Sequence, residues 1–216
     1  MNYRAVVFDL DGVLWDGEPI YHEAFNVVLR PMGHEVIPGD YEQIIGNSVE
    51  AAWQWVLDRF AITESPGRFY RLYDEAVMKL LASGAVEPLP GAKETIERLK
   101  GIPVPVGLAS ASLRQWVDAT LTGIGLADAF EATVSASEVR HAKPAPDMYL
   151  LAADKLDVPA EQCVAVEDTR AGVRSAKSAG MYVIQVRAAS TARPPIDEAD
   201  AVIESYAEFD FALLGG

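Results

Sequence analysis

Short apolar segments recur along the chain and predict buried β-strands. They are rich in valine, are bounded by Gly, Pro or polar residues, and lie at residues 5–10, 104–110, 132–135, 164–167 and 182–186. A sixth, weaker candidate lies at 201–204. Continuous apolar runs of this length are typical of strands that helices cover on both faces.

Segments with helical spacing alternate with these strands from about residue 88 onward. They lie at residues 92–100, 112–124, 145–156 and 171–179, and Gly180 is a natural stop for the last of them. In residues 145–156 the face expected to be buried carries Met148, Leu151 and Ala152. The alternation of strand and helix predicts an α/β fold with a doubly wound parallel sheet.

Residues 16–85 interrupt this alternation. They contain helical patterns at 21–29, 49–60 and 67–81 but no clear strand, and aromatic residues recur there at helical spacing. We interpret these aromatic residues as the core of a small helical bundle. The predicted organisation is therefore an α/β core of residues 1–15 and 86–216, with an all-helical domain of residues 16–85 inserted after the first strand.

Composition narrows the range of partners and compartments. The formal net charge is −14, which repels nucleic acid and anionic membranes, so we expect neither as a partner. No apolar run could span a bilayer, and the N-terminus lacks a signal-peptide pattern. A single cysteine, Cys163, excludes an intrachain disulfide and fits a reducing compartment. We expect a cytoplasmic protein, with a monomer as the default.

The first predicted strand ends in a pair of carboxylates, Asp9 and Asp11, followed by Gly12. Two acidic side chains at the end of an apolar strand are costly to bury unless a cation joins them. Gly12 permits a sharp turn after the pair. The pattern alone also fits a strand-end turn with solvated aspartates. An EF-hand calcium loop fits poorly, because its glycine comes at position six and its closing glutamate later.

Two further strand ends carry residues that suit an anion. Ser110 is followed by Ala111 and Ser112, so a hydroxyl and main-chain N–H groups could hold a phosphate, although a simple serine N-cap explains the pattern equally well. Lys143 lies in a proline-rich loop just before a helix. A lone lysine is usually solvated, but this rigid setting in an acidic protein favours pairing with a carboxylate or a ligand charge.

The fourth strand ends in a second acidic pair, Glu167 and Asp168, followed by Gly172. Ligands of doubly wound sheets bind at the carboxyl ends of the strands, so both acidic pairs are expected at one edge of the sheet. Together they offer the oxygen ligands that Mg²⁺ prefers. No nucleotide-binding glycine motif occurs, and the three histidines are scattered. A carboxylate nucleophile in phosphoryl transfer fits this set of residues.

These motifs, in this order, resemble the haloacid dehalogenase superfamily, and most closely the subgroup of phosphoglycolate phosphatases, sugar-phosphate phosphatases and β-phosphoglucomutase. The matching segments are Phe8-Asp9-Leu10-Asp11-Gly12-Val13-Leu14-Trp15-Asp16, Ala109-Ser110-Ala111-Ser112, Lys143-Pro144-Ala145-Pro146-Asp147 and Glu167-Asp168-Thr169. The resemblance covers the whole chain.

The resemblance implies a role for each of these residues. Asp9 is the nucleophile, and Asp11 donates a proton to the leaving group and then activates water. Asp9, the main-chain carbonyl of Asp11, and Asp168 hold Mg²⁺, with Glu167 a direct or water-mediated ligand. Ser110, the N–H of Ala111, and Lys143 hold the phosphate. The helical insert is then a cap over the substrate, and His22 is a candidate for its substrate cleft or, equally, a structural helix histidine.

The expected activity is Mg²⁺-dependent hydrolysis of a small phosphomonoester, such as a sugar phosphate or a phosphoglycolate-like compound. A sugar phosphomutase of the β-phosphoglucomutase type is the alternative. Mutases carry a cap arginine in a Gly-x-Ser-Arg context, whereas this chain has Gly46-Asn47-Ser48-Val49, so hydrolysis is favoured. A non-catalytic phospho-acceptor module is a distant third reading, because such modules are about half this length and lack a helical insert.

Overall fold

The computed structural model describes residues 2–84, 86–189 and 194–215. The chain divides into two compact units. One runs up to Asp16 and resumes at Val86, and the other begins at Gly17. Ala85, the expected last residue of the insert, lies outside the described residues. Within the described ranges, no helix has the length and apolar character needed to cross a membrane.

The first unit is built on a six-stranded sheet in the order β3-β2-β1-β4-β5-β6, and every neighbouring pair is parallel. The strands are β1 (Ala5–Phe8), β2 (Val106–Ser110), β3 (Ala132–Ser135), β4 (Cys163–Glu167), β5 (Tyr182–Val186) and β6 (Ala201–Ile203). The predicted doubly wound parallel sheet is confirmed.

Strands β1 and β2 are each two residues shorter than the apolar pattern suggests, and β6 is one residue shorter. Strand β1 ends at Phe8 because the carbonyl of Leu10 already accepts the N–H groups of Val13 and Leu14 in a tight turn. Strand β2 begins at Val106 because Pro105, just before it, has no N–H to donate to a neighbouring strand.

Four helices accompany this sheet. Numbered in chain order with those of the second unit, they are α5 (Ala92–Leu99), α6 (Arg114–Gly123), α7 (Asp147–Lys155) and α8 (Arg170–Ser178). Helices α7 and α8 pack in one buried cluster with alternate residues of the central strands, such as Val7, Ala109 and Ala165. Both faces of β1, β2 and β4 are buried, as their continuous apolar runs require.

Two helices differ from the sequence prediction in detail. Helix α6 begins at Arg114, and its N-cap is Leu113, which makes no side-chain capping bond, so neither nearby serine is the N-cap. In α7 the buried face carries Tyr149 beside Met148 and Ala152, whereas Leu151 is only half-buried. Helical spacing could not decide this, because the direction of the buried face depends on how α7 lies across β1, β2 and β3.

The second unit is helical, and residues 17–84 contain no strand. Its helices are α1 (Glu18–Leu29), α2 (Pro38–Tyr41), α3 (Val49–Arg59) and α4 (Pro66–Leu81). Helix α4 packs against both α1 and α3. The ring of Phe25 lies 4.5 Å from Tyr73 and 4.8 Å from Trp53, and Trp53 lies 5.1 Å from Phe69, measured between centroids. These aromatic residues form the core of the bundle.

Candidate active site

The carboxyl end of the central strand places Asp9 between two neighbouring strands. Phe8 is level with Leu108 of β2 and with Val166 of β4, so the chain delivers Asp9 beside the ends of both. The Asp9 main-chain N–H donates to the carbonyl of Val166 at 2.9 Å. The strand order reverses at β1, where 3-2-1 meets 4-5-6, and this is the position at which doubly wound sheets bind ligands.

Three of the predicted acidic residues form one group there. Carboxylate oxygens of Asp9, Glu167 and Asp168 lie within 4.8 Å of one another, and all three residues are buried. Burial raises the pKa of Asp9 well above its usual range; the Lys143 ammonium opposes this rise, and the charges of Glu167, Asp168 and Asp11 add to it. The cluster therefore concentrates negative charge that a bound cation would relieve.

Lys143 lies among these carboxylates. Its Nζ donates to Asp9 Oδ1 at 2.6 Å, to Glu167 Oε1 at 2.5 Å and to the carbonyl of Ala109 at 2.9 Å. Although burial alone lowers the pKa of a lysine, the charges of Asp9 and Glu167 raise the pKa of Lys143 above its ordinary value, so it stays protonated. The proline-rich loop thus delivers a buried cation that is the counter-ion of Asp9 and Glu167.

The space for these carboxylates depends on two glycines. A β-carbon on Gly172 would lie 1.9 Å from Glu167 Oε1, and one on Gly12 would lie 2.2 Å from Asp168 Oδ2. Three buried carboxylates with glycine on two sides and Lys143 among them are the donor set and the surroundings that suit Mg²⁺. The residues present therefore fit the metal that the sequence predicts.

Asp11 faces a different partner from Asp9. Its Oδ2 accepts a hydrogen bond from Ser112 Oγ at 2.8 Å, and its side chain is not part of the three-carboxylate group found among the described residues. Ser110 is fully buried, and its Oγ accepts the N–H of Ser112 at 3.1 Å. Ala111, between the two serines, is exposed. The turn after β2 is therefore organised by the two serines that flank Ala111.

Tyr149 belongs to this site, although it lies outside the sequence motifs that indicate the site. Its hydroxyl donates to Glu167 Oε1 at 2.7 Å, and its ring centroid lies 5.0 Å from Lys143 Nζ. The only signal in the sequence is its position two residues after Asp147 of the third motif. The pattern of an apolar helix face predicts that a tyrosine there is an ordinary core residue, and the sequence does not show which group its hydroxyl contacts.

A second tyrosine supports the turn after Asp11. The hydroxyl of Tyr206 donates to the carbonyl of Val13 at 2.8 Å across 193 residues of sequence, and Tyr206 is buried. A β-carbon on Gly91 would approach Tyr206 Cβ to 2.9 Å, so Gly91 admits this ring. Nothing in the sequence near residue 206 indicated the contact.

His22 lies in the helical unit, on α1. Its Nε2 lies 2.6 Å from the carbonyl of Val36, and its ring stacks on Tyr41 at 4.6 Å between centroids. These contacts fit the structural reading of His22, and its expected place in a substrate cleft stays a prediction.

The family model described as haloacid dehalogenase-like hydrolase matches residues 3–180. The chain is 34% identical over 190 residues to the fructose-1-phosphate phosphatase YqaB of Escherichia coli, which covers 86% of this chain and 97% of that protein.

Solved structures with the same fold extend over nearly the whole chain. The crystal structure of CbbY from Rhodobacter sphaeroides in complex with phosphate has a TM-score of 0.83 at 26% identity, covering 98% of this chain and 99% of that one. A putative β-phosphoglucomutase from Thermotoga maritima has a TM-score of 0.80 at 27% identity, covering 94% of each chain.

Proposed function

The chain belongs to the haloacid dehalogenase-like hydrolase family, and on that premise we propose that it is a Mg²⁺-dependent phosphatase acting on a small sugar phosphate through a phosphoaspartate on Asp9. The observation that carries the proposal is the group of Asp9, Glu167 and Asp168 around the ammonium of Lys143 at the carboxyl edge of the sheet. It combines a nucleophile, a cation site and a fixed positive charge.

In the first step a carboxylate oxygen of Asp9 attacks the phosphorus atom of the monoester. The bond from phosphorus to the ester oxygen breaks, and that oxygen takes a proton from Asp11 as the alcohol leaves. The Ser112 hydroxyl, which donates to Asp11 Oδ2, keeps this carboxyl in one orientation while it acts as the acid.

In the second step water attacks the phosphorus atom of the phosphoaspartate. Asp11, now ionised, accepts a proton from that water, and the bond to Asp9 breaks to release inorganic phosphate and the free carboxylate. Ser110 and the N–H of Ala111 hold the phosphoryl oxygens through both steps, while the positive charge of Lys143 attracts those oxygens and offsets part of the charge on Asp9 and Glu167.

Asp9, Asp168 and the main-chain carbonyl of Asp11 would hold Mg²⁺, with Glu167 beside them. When bound, Mg²⁺ neutralises charge on the phosphoryl oxygens and on the carboxylates around it. The donor set supports this assignment, because it offers carboxylate and carbonyl oxygens and no sulfur.

A sugar phosphate is the substrate class that the relatives support. The name of the Escherichia coli relative gives fructose 1-phosphate as its substrate, and CbbY was solved with phosphate. The strong negative charge of this chain disfavours larger polyanions, because a net charge of −14 repels them. We therefore place the substrate among small phosphorylated carbohydrates.

The test is a panel of sugar phosphates assayed for released phosphate with Mg²⁺ and with EDTA. We expect turnover that EDTA abolishes, and a fall to background for Asp9→Asn. Asp128→Asn makes the same change at an exposed residue in the loop before β3, at the opposite edge of the sheet, and should leave the rate unchanged. Acid-quenched wild type should yield a phosphorylated peptide containing Asp9. Near-normal turnover by Asp9→Asn would refute the mechanism.

The structural likeness to a putative β-phosphoglucomutase keeps phosphomutase activity as the second candidate. The position at which mutases carry arginine is Val49 here, at the start of α3, and its N-cap Ser48 accepts the N–H of Ala51 at 3.2 Å. An aliphatic side chain there offers no charge to a second phosphate. Isomerisation of a sugar 1-phosphate that requires a bisphosphate activator, without net phosphate release, would favour the mutase.

A further inference from the structure

The carboxylate of Glu167 is fully engaged by donors from the protein itself. Oε1 accepts from Lys143 Nζ at 2.5 Å and from the Tyr149 hydroxyl at 2.7 Å. Oε2 accepts the N–H of Asp168 at 3.1 Å, and the N–H and hydroxyl of Thr169 at 3.4 and 3.3 Å. A carboxylate offers about four acceptor sites, two on each oxygen; the two short bonds from Lys143 and Tyr149 take both sites of Oε1, and Oε2 faces the longer contacts from Asp168 and Thr169. Glu167 is also fully buried.

Tyr149 links the two charged partners within this arrangement. Its hydroxyl fixes Oε1 of Glu167, while its ring lies under the ammonium of Lys143. The three ammonium hydrogens of Lys143 have acceptors in Asp9, Glu167 and the carbonyl of Ala109. A neutral hydroxyl therefore shares Oε1 with the lysine without adding charge of its own.

We propose that Tyr149 is a positioning residue that turns Glu167 toward Lys143, so that Glu167 orients this ammonium against Asp9 while Asp9 and Asp168 hold the cation. This inference rests on the proposed phosphatase function. It assigns Glu167 to the lysine side of the cluster, because an oxygen that already accepts two or three hydrogen bonds has no free site for a metal. Tyr149 then affects the chemical step through the placement of Lys143 rather than through metal binding.

The experiment compares Tyr149→Phe with Tyr182→Phe. The first variant keeps the ring and removes only the hydroxyl, and the second makes the same change at the start of β5, at the opposite edge of the sheet. For Tyr149→Phe we expect kcat to fall about tenfold at saturating Mg²⁺ and substrate, because a misplaced ammonium weakens the reactive geometry. KM and the Mg²⁺ dissociation constant, measured by calorimetry without substrate, should each change less than about threefold. Tyr182→Phe should match wild type.

A double-variant cycle tests whether Tyr149 acts through Glu167. Glu167→Gln should lower kcat more than Tyr149→Phe, and the combined variant should be no slower than Glu167→Gln alone, because the hydroxyl then has no carboxylate to orient. Fully additive losses in the combined variant would overturn the proposal. Circular dichroism and melting temperature check that each variant is folded, and kcat is expressed per folded enzyme.

Two results for Tyr149→Phe alone would also overturn the proposal that Tyr149 is a positioning residue. An unchanged kcat for Tyr149→Phe in an active wild-type background shows that the hydroxyl does not position the site. Weakened Mg²⁺ binding, with kcat restored at high Mg²⁺, shows that Tyr149 instead supports Glu167 as a metal ligand. Both differ from failure of the phosphatase proposal, in which wild type itself shows no Mg²⁺-dependent turnover or Asp9→Asn remains active.

Discussion

A β-carbon on Gly12 would lie 2.2 Å from Oδ2 of Asp168, although the two residues are 156 positions apart in the sequence. Gly12 also has a positive φ of 77°, which favours glycine on its own account. The equivalent relation between Gly172 and Glu167 has no such backbone component, since Gly172 lies within α8 at an ordinary helical conformation. The two glycines exclude side-chain atoms from the places that the carboxylates occupy.

Gly172→Ala should therefore inactivate the enzyme although alanine favours helix. Its β-carbon would displace the Glu167 carboxylate, which approaches to 1.9 Å, and with it Lys143. We expect at least a hundredfold loss of kcat/KM. Gly67→Ala is the matched control in α4, where the added carbon would have no atom within 4 Å apart from its chain neighbours and the backbone of its own helix. It should leave activity unchanged and stabilise the protein by up to about 1 kcal/mol. Comparable activity of the two variants would contradict the prediction.

Ser112→Ala removes the hydrogen bond to Asp11 Oδ2. Because this donor helps to orient the acid for proton transfer, we expect its loss to lower kcat about tenfold. Calorimetric Mg²⁺ affinity should stay within about threefold of wild type, because Asp11 contributes only its main-chain carbonyl to the proposed metal site. Ser178→Ala, at the exposed C-terminal end of α8, is the control. An unchanged kcat for Ser112→Ala would show that Asp11 needs no such partner.

Glu138 stabilises the edge strand β3 in a pH-dependent way. Burial raises its pKa, but hydrogen bonds from Lys155, the Ser135 N–H and Arg114 outweigh this and lower the pKa of Glu138 to about 2. The folded-state pKa of Glu138 lies below the ordinary value of 4.5. The contribution of the ionised Glu138 to the free energy of unfolding is therefore complete above about pH 4.5 and is lost as the pH falls toward 2.

Glu138→Gln should thus lower the free energy of unfolding by about 1 kcal/mol at pH 6. Denaturant titrations of wild type and variant, repeated between pH 6 and pH 3, should show this difference shrinking below pH 4.5. Glu97→Gln, at an exposed position on α5, should show no difference at either pH. A difference for Glu138→Gln that stays constant across the range would mean that the ion pairs are not its source.

Neutralising Asp9 should stabilise the protein when no metal is bound. Burial and the neighbouring carboxylates raise the pKa of Asp9, so its ionised form is favoured less in the folded than in the unfolded chain. Its ionisation therefore lowers stability as the pH rises above 3.8. In EDTA at pH 7, Asp9→Asn should gain on the order of 1 kcal/mol in the free energy of unfolding, while Lys143 keeps Glu167 and the Ala109 carbonyl as partners.

In the presence of Mg²⁺ we expect wild type to be more stable than Asp9→Asn, the reverse of the order expected in EDTA. Wild type gains stability from the cation by mass action, and Asp9→Asn should gain less because it has lost a ligand charge. Melting temperatures in EDTA and in Mg²⁺ check both statements together. A lower melting temperature for Asp9→Asn in EDTA would show that the pairing with Lys143 outweighs the cost of burying the charge.

The sequence by itself determined the sheet and the acidic residues at the ends of its strands. Valine-rich runs need burial on both faces, and charged residues that end such runs must lie at one edge of a parallel sheet. For that reason both acidic pairs, Asp9 with Asp11 and Glu167 with Asp168, could be assigned to one edge, and the order of the motifs could be matched to a family. That the Asp11 side chain lies outside the group of Asp9, Glu167 and Asp168 was not predicted. The end of β1 and the start of β2 each differ by two residues from the prediction, because a tight turn ends β1 and a proline precedes β2.

Only the tertiary structure decided which polar groups form hydrogen bonds with one another at the carboxyl edge of the sheet. The Tyr149 bond to Glu167, the Ser112 bond to Asp11 and the Tyr206 bond to Val13 join residues 18, 101 and 193 positions apart. A buried tyrosine or serine has the same local pattern as any core residue, and its hydroxyl finds a partner only when distant elements pack. Side-chain periodicity reports which face is buried, whereas the direction of a hydrogen bond depends on the atoms that another part of the chain brings to that face.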